Sequence, residues 1–333
     1  MNYESIRLDK SMYVSEGGFS AALEKLDPTV KYNGTDCAGL DAFQRQLKRY
    51  DIKVGGTRSD VIAKFFATSD SAALFPEYVS RAVAQGAKEA GMLDDIIASK
   101  TEINSMDYRS IRTDLTGAEM ADEIGEGEEI PQTTIALSEH LVNLKKRGRL
   151  LCASYEAIKF QRVDVFTVAL RQIGAYIAKA QLRDAVEALI NGGGGVPAAQ
   201  VINTAASALA YTDLLRLWNS FESFDMNVIL ASPDMAMDVL NLDEFKDPRA
   251  GCGFEGTGKH SAPMGAKLIK SSTVPAGSLI ALDKRFALEM VCAGGVNVEY
   301  DKLINTQLER ASVTSIYGFS KIFPDAVKVL TRG

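Results

Sequence analysis

The chain has 333 residues, 46% of them hydrophobic and 24% charged, and a net charge of −6. That composition supplies a large core for one large or two ordinary domains and excludes a disordered chain. The acidic balance argues against a protein that coats nucleic acid through phosphate contacts, and no apolar run is long enough to span a membrane. The four cysteines, Cys37, Cys152, Cys252 and Cys292, lie far apart with no C-x-x-C, so buried reduced thiols are expected, not a disulfide framework or a zinc site. The opening MNYESIRLDK carries charge where a signal peptide needs an apolar stretch.

Residues 1–75 are punctuated by Gly17-Gly18, Pro28, Gly34 and Gly55-Gly56, with one helical stretch, Leu40 to Tyr50. They read as a flexible terminal region or as an extended arm that orders against neighbours. Pro76 marks the start of a helix that runs to Ala90 and stops at Gly91. Ile96 to Asn104 and Tyr108 to Thr113 read as strands. The next segment, Asp114 to Pro131, holds Asp114, Glu119, Asp122, Glu123, Glu126, Glu128 and Glu129 and no lysine or arginine. So many uncompensated carboxylates cannot be buried, so the segment must lie on a surface or face a basic partner. Thr133 to Leu144 reads as a strand that closes on Lys145-Lys146-Arg147, and a short helix starts at Ser154.

Val163 to Asn191 is the strongest helical pattern, with Phe166, Ala169, Leu170, Ile173, Ile177 and Ala180 at helical spacing on one face. The glycine run 192–195 with Val196-Pro197 is the clearest boundary. Helices and strands alternate after it. Tyr211 to Phe224 is amphipathic through Leu214, Leu215, Trp218 and Phe221, and Asn227 to Ala231 is a buried-type strand. Ser232-Pro233-Asp234 starts a helix, with serine at the N-cap. Arg249 to Pro263 is a glycine-rich loop. Leu268-Ile269 and Ser278 to Asp283 are strands around the turn Val274-Pro275-Ala276-Gly277. Val296 to Tyr300, Thr306 to Phe323 and Ala326 to Leu330 complete the strands.

Few groups are set up for chemistry. Gly251-Cys252-Gly253-Phe254-Glu255-Gly256 fits G-x-G-x-x-G, and Gly253 to Lys259 fits the start of a P-loop, but His260 stands where Ser or Thr should hold magnesium. Both motifs need a strand before and a helix after, and the flanking Asp247-Pro248-Arg249 and Ser261-Ala262-Pro263 supply neither, so a surface loop is the better reading. His140 and His260 have no ligand partner at helical spacing, so no metal site and no cofactor are expected. Lys145, Lys146 and Arg147 are either a solvated strand end or a contact for the acidic hairpin of a neighbouring copy. A long protruding hairpin attached to a rod suits contact with other copies of the chain.

The ordered set of segments resembles the major capsid proteins of tailed bacteriophages, the Hong Kong 97 fold. Leu74-Phe75-Pro76-Glu77-Tyr78 opens the first helix. Glu128-Glu129-Ile130-Pro131 lies on the return limb of the hairpin that this family calls the E-loop. Val142 to Arg149 followed by Ala153-Ser154-Tyr155-Glu156 looks like the strand and short helix after that loop. Val163 to Asn191 looks like the spine helix, and Asn227 to Asp234 with Val274 to Asp283 resemble the axial domain. The resemblance implies an α+β fold with an N-terminal arm (1–75), a peripheral domain (76–108, 141–195 and 286–323), an extended E-loop (109–140) and an axial domain (196–285 and 324–333). It implies a virion protein without catalysis, assembled in the bacterial host cytoplasm. Hexamers and pentamers of the chain would enclose double-stranded DNA without sequence-specific binding. The implied partners are a portal, a separate scaffolding protein and a decoration protein, with no membrane. Candidate inter-subunit contacts are Glu119, Glu123, Glu126, Glu128, Glu129, Lys145, Lys146 and Arg147. An encapsulin-type compartment shell is the alternative on the same fold. A nucleotide-binding enzyme using the 251–260 loop is a more remote one.

Overall fold

The computed structural model describes residues 6–13, 15, 17–114, 134–193, 195–246 and 263–333. The first elements in chain order are α1 (Gly18–Leu26), α2 (Ala42–Arg49), α3 (Ser69–Ala72), α4 (Phe75–Ala90), β1 (Ser99–Ile103), β2 (Ile111–Asp114), β3 (Thr134–Leu137) and β4 (Lys145–Ser154). Then come α5 (Tyr155–Phe160), α6 (Val163–Asn191), β5 (Gln200–Asn203), α7 (Tyr211–Asn219), β6 (Val228–Ala231), α8 (Pro233–Asn241) and α9 (Asp243–Lys246). The last are β7 (Lys267–Lys270), β8 (Ser278–Leu282), β9 (Leu288–Ala293), β10 (Asn297–Leu303), β11 (Leu308–Lys321) and β12 (Val327–Thr331). The chain divides into two compact units, one of residues 1–91, 147–178 and 296–315, the other of 92–146, 179–295 and 316–333. These cuts differ from the expected boundaries of arm, peripheral domain, E-loop and axial domain.

The first unit corrects the expectation for the N-terminal region. Residues 17–75 are folded into a core, not extended as an arm. Phe19 and Leu23 from α1, Phe43 and Leu47 from α2, and Ile62 and Phe65 are buried with Phe75, Val79 and Val83 of α4. The punctuating glycines and prolines end short elements whose apolar positions still converge. Arg45 ties these pieces together: wholly buried, it donates to the Asp27 carboxylate (2.8 Å) and the Leu40 carbonyl (2.7 Å), with its guanidinium 4.3 Å from the centre of the Tyr32 ring. A buried guanidinium with this many partners fixes the loops that supply them. Asp41 caps α2 by accepting from the Gln44 N–H at 2.7 Å, and Gln44 returns the bond to the Asp41 N–H.

The helix expected from Pro76 is α4, with proline in its first turn and Gly91 at its C-cap. It crosses α6 backbone to backbone. A methyl group at Gly86 would overlap the Arg171 carbonyl, and one at Gly174 would overlap the Val83 carbonyl. Only glycine at both positions allows this approach. The 29 residues of α6 match the expected range, about 43 Å at 1.5 Å per residue. In this unit Val163, Leu170 and Ile177 are its buried residues in the core, while Ala169, expected on that face, is exposed. β10 runs antiparallel to β11, from Asn297 opposite Thr314 to Leu303 opposite Leu308, and β4 also pairs with β11.

The second unit is built on strands buried from both sides. One sheet has the order β5-β12-β8-β6-β7, with β5 parallel to β12, β6 parallel to β7, and β8 antiparallel to both β12 and β6. Every residue of β6 and β8 is buried. Val228, Leu230, Ile280 and Leu282 face a core that includes Leu182, Ala185, Val186 and Leu189 of α6. Ile229, Ala231, Leu279 and Ala281 face the opposite core, with Leu214 and Leu217 of α7 and Met235 and Val239 of α8. Such strands read as continuous apolar runs because neither face meets water. Ser232 stands at the N-cap position of α8 as expected, but its side chain makes no capping bond. In the same unit β9 pairs parallel with β1 and antiparallel with the last residues of β11. β5 and β9 do not stand out in the sequence pattern.

Two measurements test this packing. Gly86→Ala and Gly174→Ala should each lower stability by about 1–3 kcal/mol in urea melts through overpacking. Gly55→Ala, with nothing within 4 Å of the added carbon, should change stability by less than about 0.5 kcal/mol. Equal effects at all three positions would refute the close crossing. The second concerns Lys321, which is 1% exposed and donates to the Pro197 carbonyl at 3.0 Å. Burial depresses its amine to about 8 from the ordinary 10.5, against the pull of Asp325. Between those values the unfolded chain binds more protons, so this group makes stability rise with pH across that window, and its full cost is present below pH 8. From pH 7 to pH 10.5 the stability of the parent should gain on that of Lys321→Met by up to about 3 kcal/mol. A gap that stays constant with pH would contradict the assignment.

Candidate assembly surface

The stem of the acidic hairpin is in place. β2 and β3 pair antiparallel, from Ile111 opposite Leu137 to Asp114 opposite Thr134. Glu119, Glu123, Glu126, Glu128 and Glu129 lie outside the described residues, as do the 251–260 loop and His260. The strand expected over 133–144 ends at Leu137. Beyond it the limb makes single bonds to the opposite limb: the Ser138 N–H donates to the Ser110 carbonyl (2.8 Å) and the Val142 N–H to the Tyr108 carbonyl (2.9 Å). Lys145 therefore opens a strand, β4, and does not close one.

The limbs lie on the sheet of β1, β9 and β11, and Glu289 holds the outgoing one. Leu288, Met290 and Cys292 of β9 point into the core, so Glu289 between them points to the other face. Glu289 is 7% exposed, and its carboxylate accepts from the hydroxyls of Thr101 (2.6 Å), Tyr108 (2.7 Å) and Ser110 (2.6 Å). Burial pushes the Tyr108 phenol above its ordinary value, and the bond to Glu289 adds to the shift. The return limb crosses Gly318, where an added Cβ would sit 2.7 Å from the Asn143 carbonyl oxygen and 3.0 Å from Val142 Cγ1. Val142 is buried there and Leu141 is exposed.

Lys145 has partners within its own chain. Its ammonium lies 3.1 Å from Glu187 and 3.5 Å from the buried carboxylate of Asp184, which also accepts from the Tyr317 hydroxyl at 2.8 Å. A cavity of about 230 Å³ lies beside this group, lined by Leu141, Asn143, Lys145, Asp184, Glu187 and Phe319 among others. Lys146 is exposed and Arg147 half-buried. The structure thus brings Lys145 to α6 and leaves Lys146 outward. It also shows Glu289, Gly318 and Asp184, which sequence reasoning missed. The only signal was a lone acid inside the apolar run Leu288–Ala293. Cys152 is exposed on β4, against the expectation that the cysteines are buried, whereas Cys37 and Cys292 are buried as expected.

Each unit also exposes apolar side chains. In the first, Phe160 is 72% exposed with Lys159 over its ring, and Val165 and Val168 share an outer face of α6. In the second, the stripe expected on α7 divides: Leu214 is buried and Phe221 half-buried, while Leu215 and Trp218, three residues apart, are exposed, and Leu217, outside that stripe, is buried. Exposed apolar groups of this size mark contact surfaces when they cluster on one element. Among the described residues no group of three or more His, Cys, Asp or Glu side chains could hold a metal ion, and no helix is long and apolar enough to cross a membrane.

Residues 138–319 match the family described as phage capsid protein. No curated protein sequence matches the chain. Among solved structures, the capsid of an empty GTA particle is similar at 14% identity and a TM-score of 0.54, over 73% of this chain and 90% of that one. A structure from Microbacterium phage Oxtober96 is similar at 12% identity and a TM-score of 0.54, over 74% and 90%. A virus-like particle from Pyrococcus furiosus is similar at 12% identity and a TM-score of 0.51, over 76% and 98%. At these identities the likeness is one of fold, and it matches the α+β capsid fold that the order of segments implies. The family match covers more than half of the chain, from the return limb of the hairpin through α6 and the two-sided sheet to β11, and on it the chain belongs to the phage capsid protein family.

Proposed function

We propose that this chain is the major shell subunit of a tailed-phage head, closing as hexamers and pentamers into an icosahedral shell around double-stranded DNA, with no catalytic step. The family match over 138–319 carries this reading. The exposed apolar residues on α6 and α7 and the carboxylate-dense segment 114–131 support it, because copies of the chain would cover both. In this reading 109–140 is the E-loop, 196–285 with 324–333 the axial domain, and the remainder after the N-terminal region the peripheral domain. Glu119, Glu123, Glu126, Glu128 and Glu129 meet cationic groups of a neighbour, among which Lys146 and Arg147 are candidates. Lys145 is shared with Glu187. A portal, a separate scaffolding protein and a decoration protein complete the head, which assembles in the host cytoplasm. A shell around a cargo enzyme is the competing reading of the same fold, and the particle contents decide between DNA and cargo.

The purified chain should form closed particles or ring-shaped capsomers by negative-stain microscopy. A strictly monomeric species under every assembly condition would refute the reading. Deleting 117–129 should leave the circular dichroism of the subunit unchanged and abolish shells, and normal shells from that deletion would remove the hairpin from assembly. No lysine lies between Thr101 and Leu144, so the loop carries no amine for an isopeptide link. Mature particles boiled in detergent should therefore run as one band near 36.0 kDa. A ladder under reducing conditions would show covalent locking.

A further inference from the structure

We propose that Glu289 is the positioning residue for the hairpin, with Gly318 as its counterpart under the return limb. Together they set the direction in which the stem leaves the subunit and so its fit to a neighbouring copy. The inference rests on the reading that the hairpin bridges copies.

The stem cannot orient itself. Over the described residues its ladder is four residues a side, and Ile111 and Leu137, which pair directly, are both exposed. An isolated two-stranded ribbon of this kind is marginal in water. Its direction must come from where the limbs rest. Glu289 is fixed in the middle of a sheet, opposite Ser99 on β1 and Ser320 on β11. The outgoing limb lies across it and brings the Tyr108 and Ser110 hydroxyls to its carboxylate at 2.7 and 2.6 Å. Bonds to an ionised acceptor are shorter and stronger than neutral ones. An apolar residue at 289 would bury as well under the limb, but it would not fix the limb's register. The carboxylate does, because Tyr108 and Ser110 are two residues apart and must both reach it.

The return limb shares this anchor. The carbonyls of the same two residues, Tyr108 and Ser110, accept from the Val142 and Ser138 N–H groups. Close passage of Asn143 over Gly318 then sets the height of that limb, since a Cβ at 318 would meet its carbonyl oxygen at 2.7 Å. Both limbs are thus referred to two adjacent strands, β9 and β11, through one acid and one glycine.

The test uses the full chain with Glu289→Gln, Tyr108→Phe, Ser110→Ala and Gly318→Ala. Peptide-level hydrogen exchange is read on unassembled subunits, and the fraction of closed shells by negative stain. Glu289→Gln places an amide donor among hydroxyl donors. Exchange over 108–114 and 134–142 should rise about tenfold or more, that over 278–282 should stay as in the parent, and closed shells should be lost. Unchanged exchange in the stem would overturn the anchor. Faster exchange in the stem with normal shells would overturn its role in assembly. If Glu289→Gln fails to fold, Tyr108→Phe and Ser110→Ala, which each remove one donor and keep the carboxylate, are read by the same two criteria. Gly318→Ala should loosen 138–144 while leaving 108–110 protected. The deletion of 117–129 separates the two levels of the argument. If it assembles normally, the bridging reading fails, whereas the exchange result on the stem stands or falls by itself.

Discussion

Two-sided burial of a strand is the constraint from which most of the second unit follows. β6, β8 and most of β9 have no residue facing water. A strand in that state needs a layer on each face. For β6 and β8 the layers are the second half of α6 on one side and α7 with α8 on the other. For β9 the inner layer is the same core, and the outer layer is the pair of limbs that lead into and out of the hairpin. The hairpin is therefore not an appendage on a finished domain. Its base completes the burial of the sheet that carries it, and this explains why an acid sits there. The limbs bring polar hydroxyls, and a face that must bury hydroxyls needs an acceptor.

Assembly from many copies asks for contacts that are individually modest. Exposed charge pairs contribute about 0–1 kcal/mol each, and the net charge of −6 makes bare subunits repel at long range. Apolar groups such as Phe160, Val168 and Trp218 are the larger resource, since a fully buried side chain of this kind is worth roughly 1.5–3 kcal/mol. Repeated over a shell, a few such burials per subunit suffice through multivalency, and each contact alone stays weak enough to correct errors.

Legibility in the sequence followed how far each pattern was one-sided. α6 and its ends were plain, because a long helix with a glycine stop has few alternatives. β8 and β12 were plain as short apolar runs beside turns. β9 was not, because burial on both faces removes alternation and Glu289 looks like a break. α7 misled because Leu214, Leu215, Leu217 and Trp218 fill two faces, and only the fold says which is inside. The N-terminal region misled because its core residues sit in short pieces between glycines, and their convergence around Arg45 is not a local signal. Of the candidate site, the stem and the start of β4 were visible. The seat under the stem was not, since Glu289 and Tyr108 are 181 residues apart in sequence.

The pairing of Lys145 within its own chain changes what can attract the hairpin of a neighbour. Its ammonium already lies between Glu187 and Asp184, and Tyr317 holds Asp184 from the other side. The positive charge of Lys145 is already matched before a second copy arrives. Drawing Lys145 outward would take a cation away from the buried carboxylate of Asp184, at a cost larger than an exposed pair returns. On the proposed reading, an acidic hairpin gains little at Lys145 and must find its cations elsewhere or rest mainly on apolar contact. The carboxylates then act chiefly as selectors. They oppose association between hairpins, which carry like charge, and so favour the arrangement in which each hairpin meets a different face of the next copy.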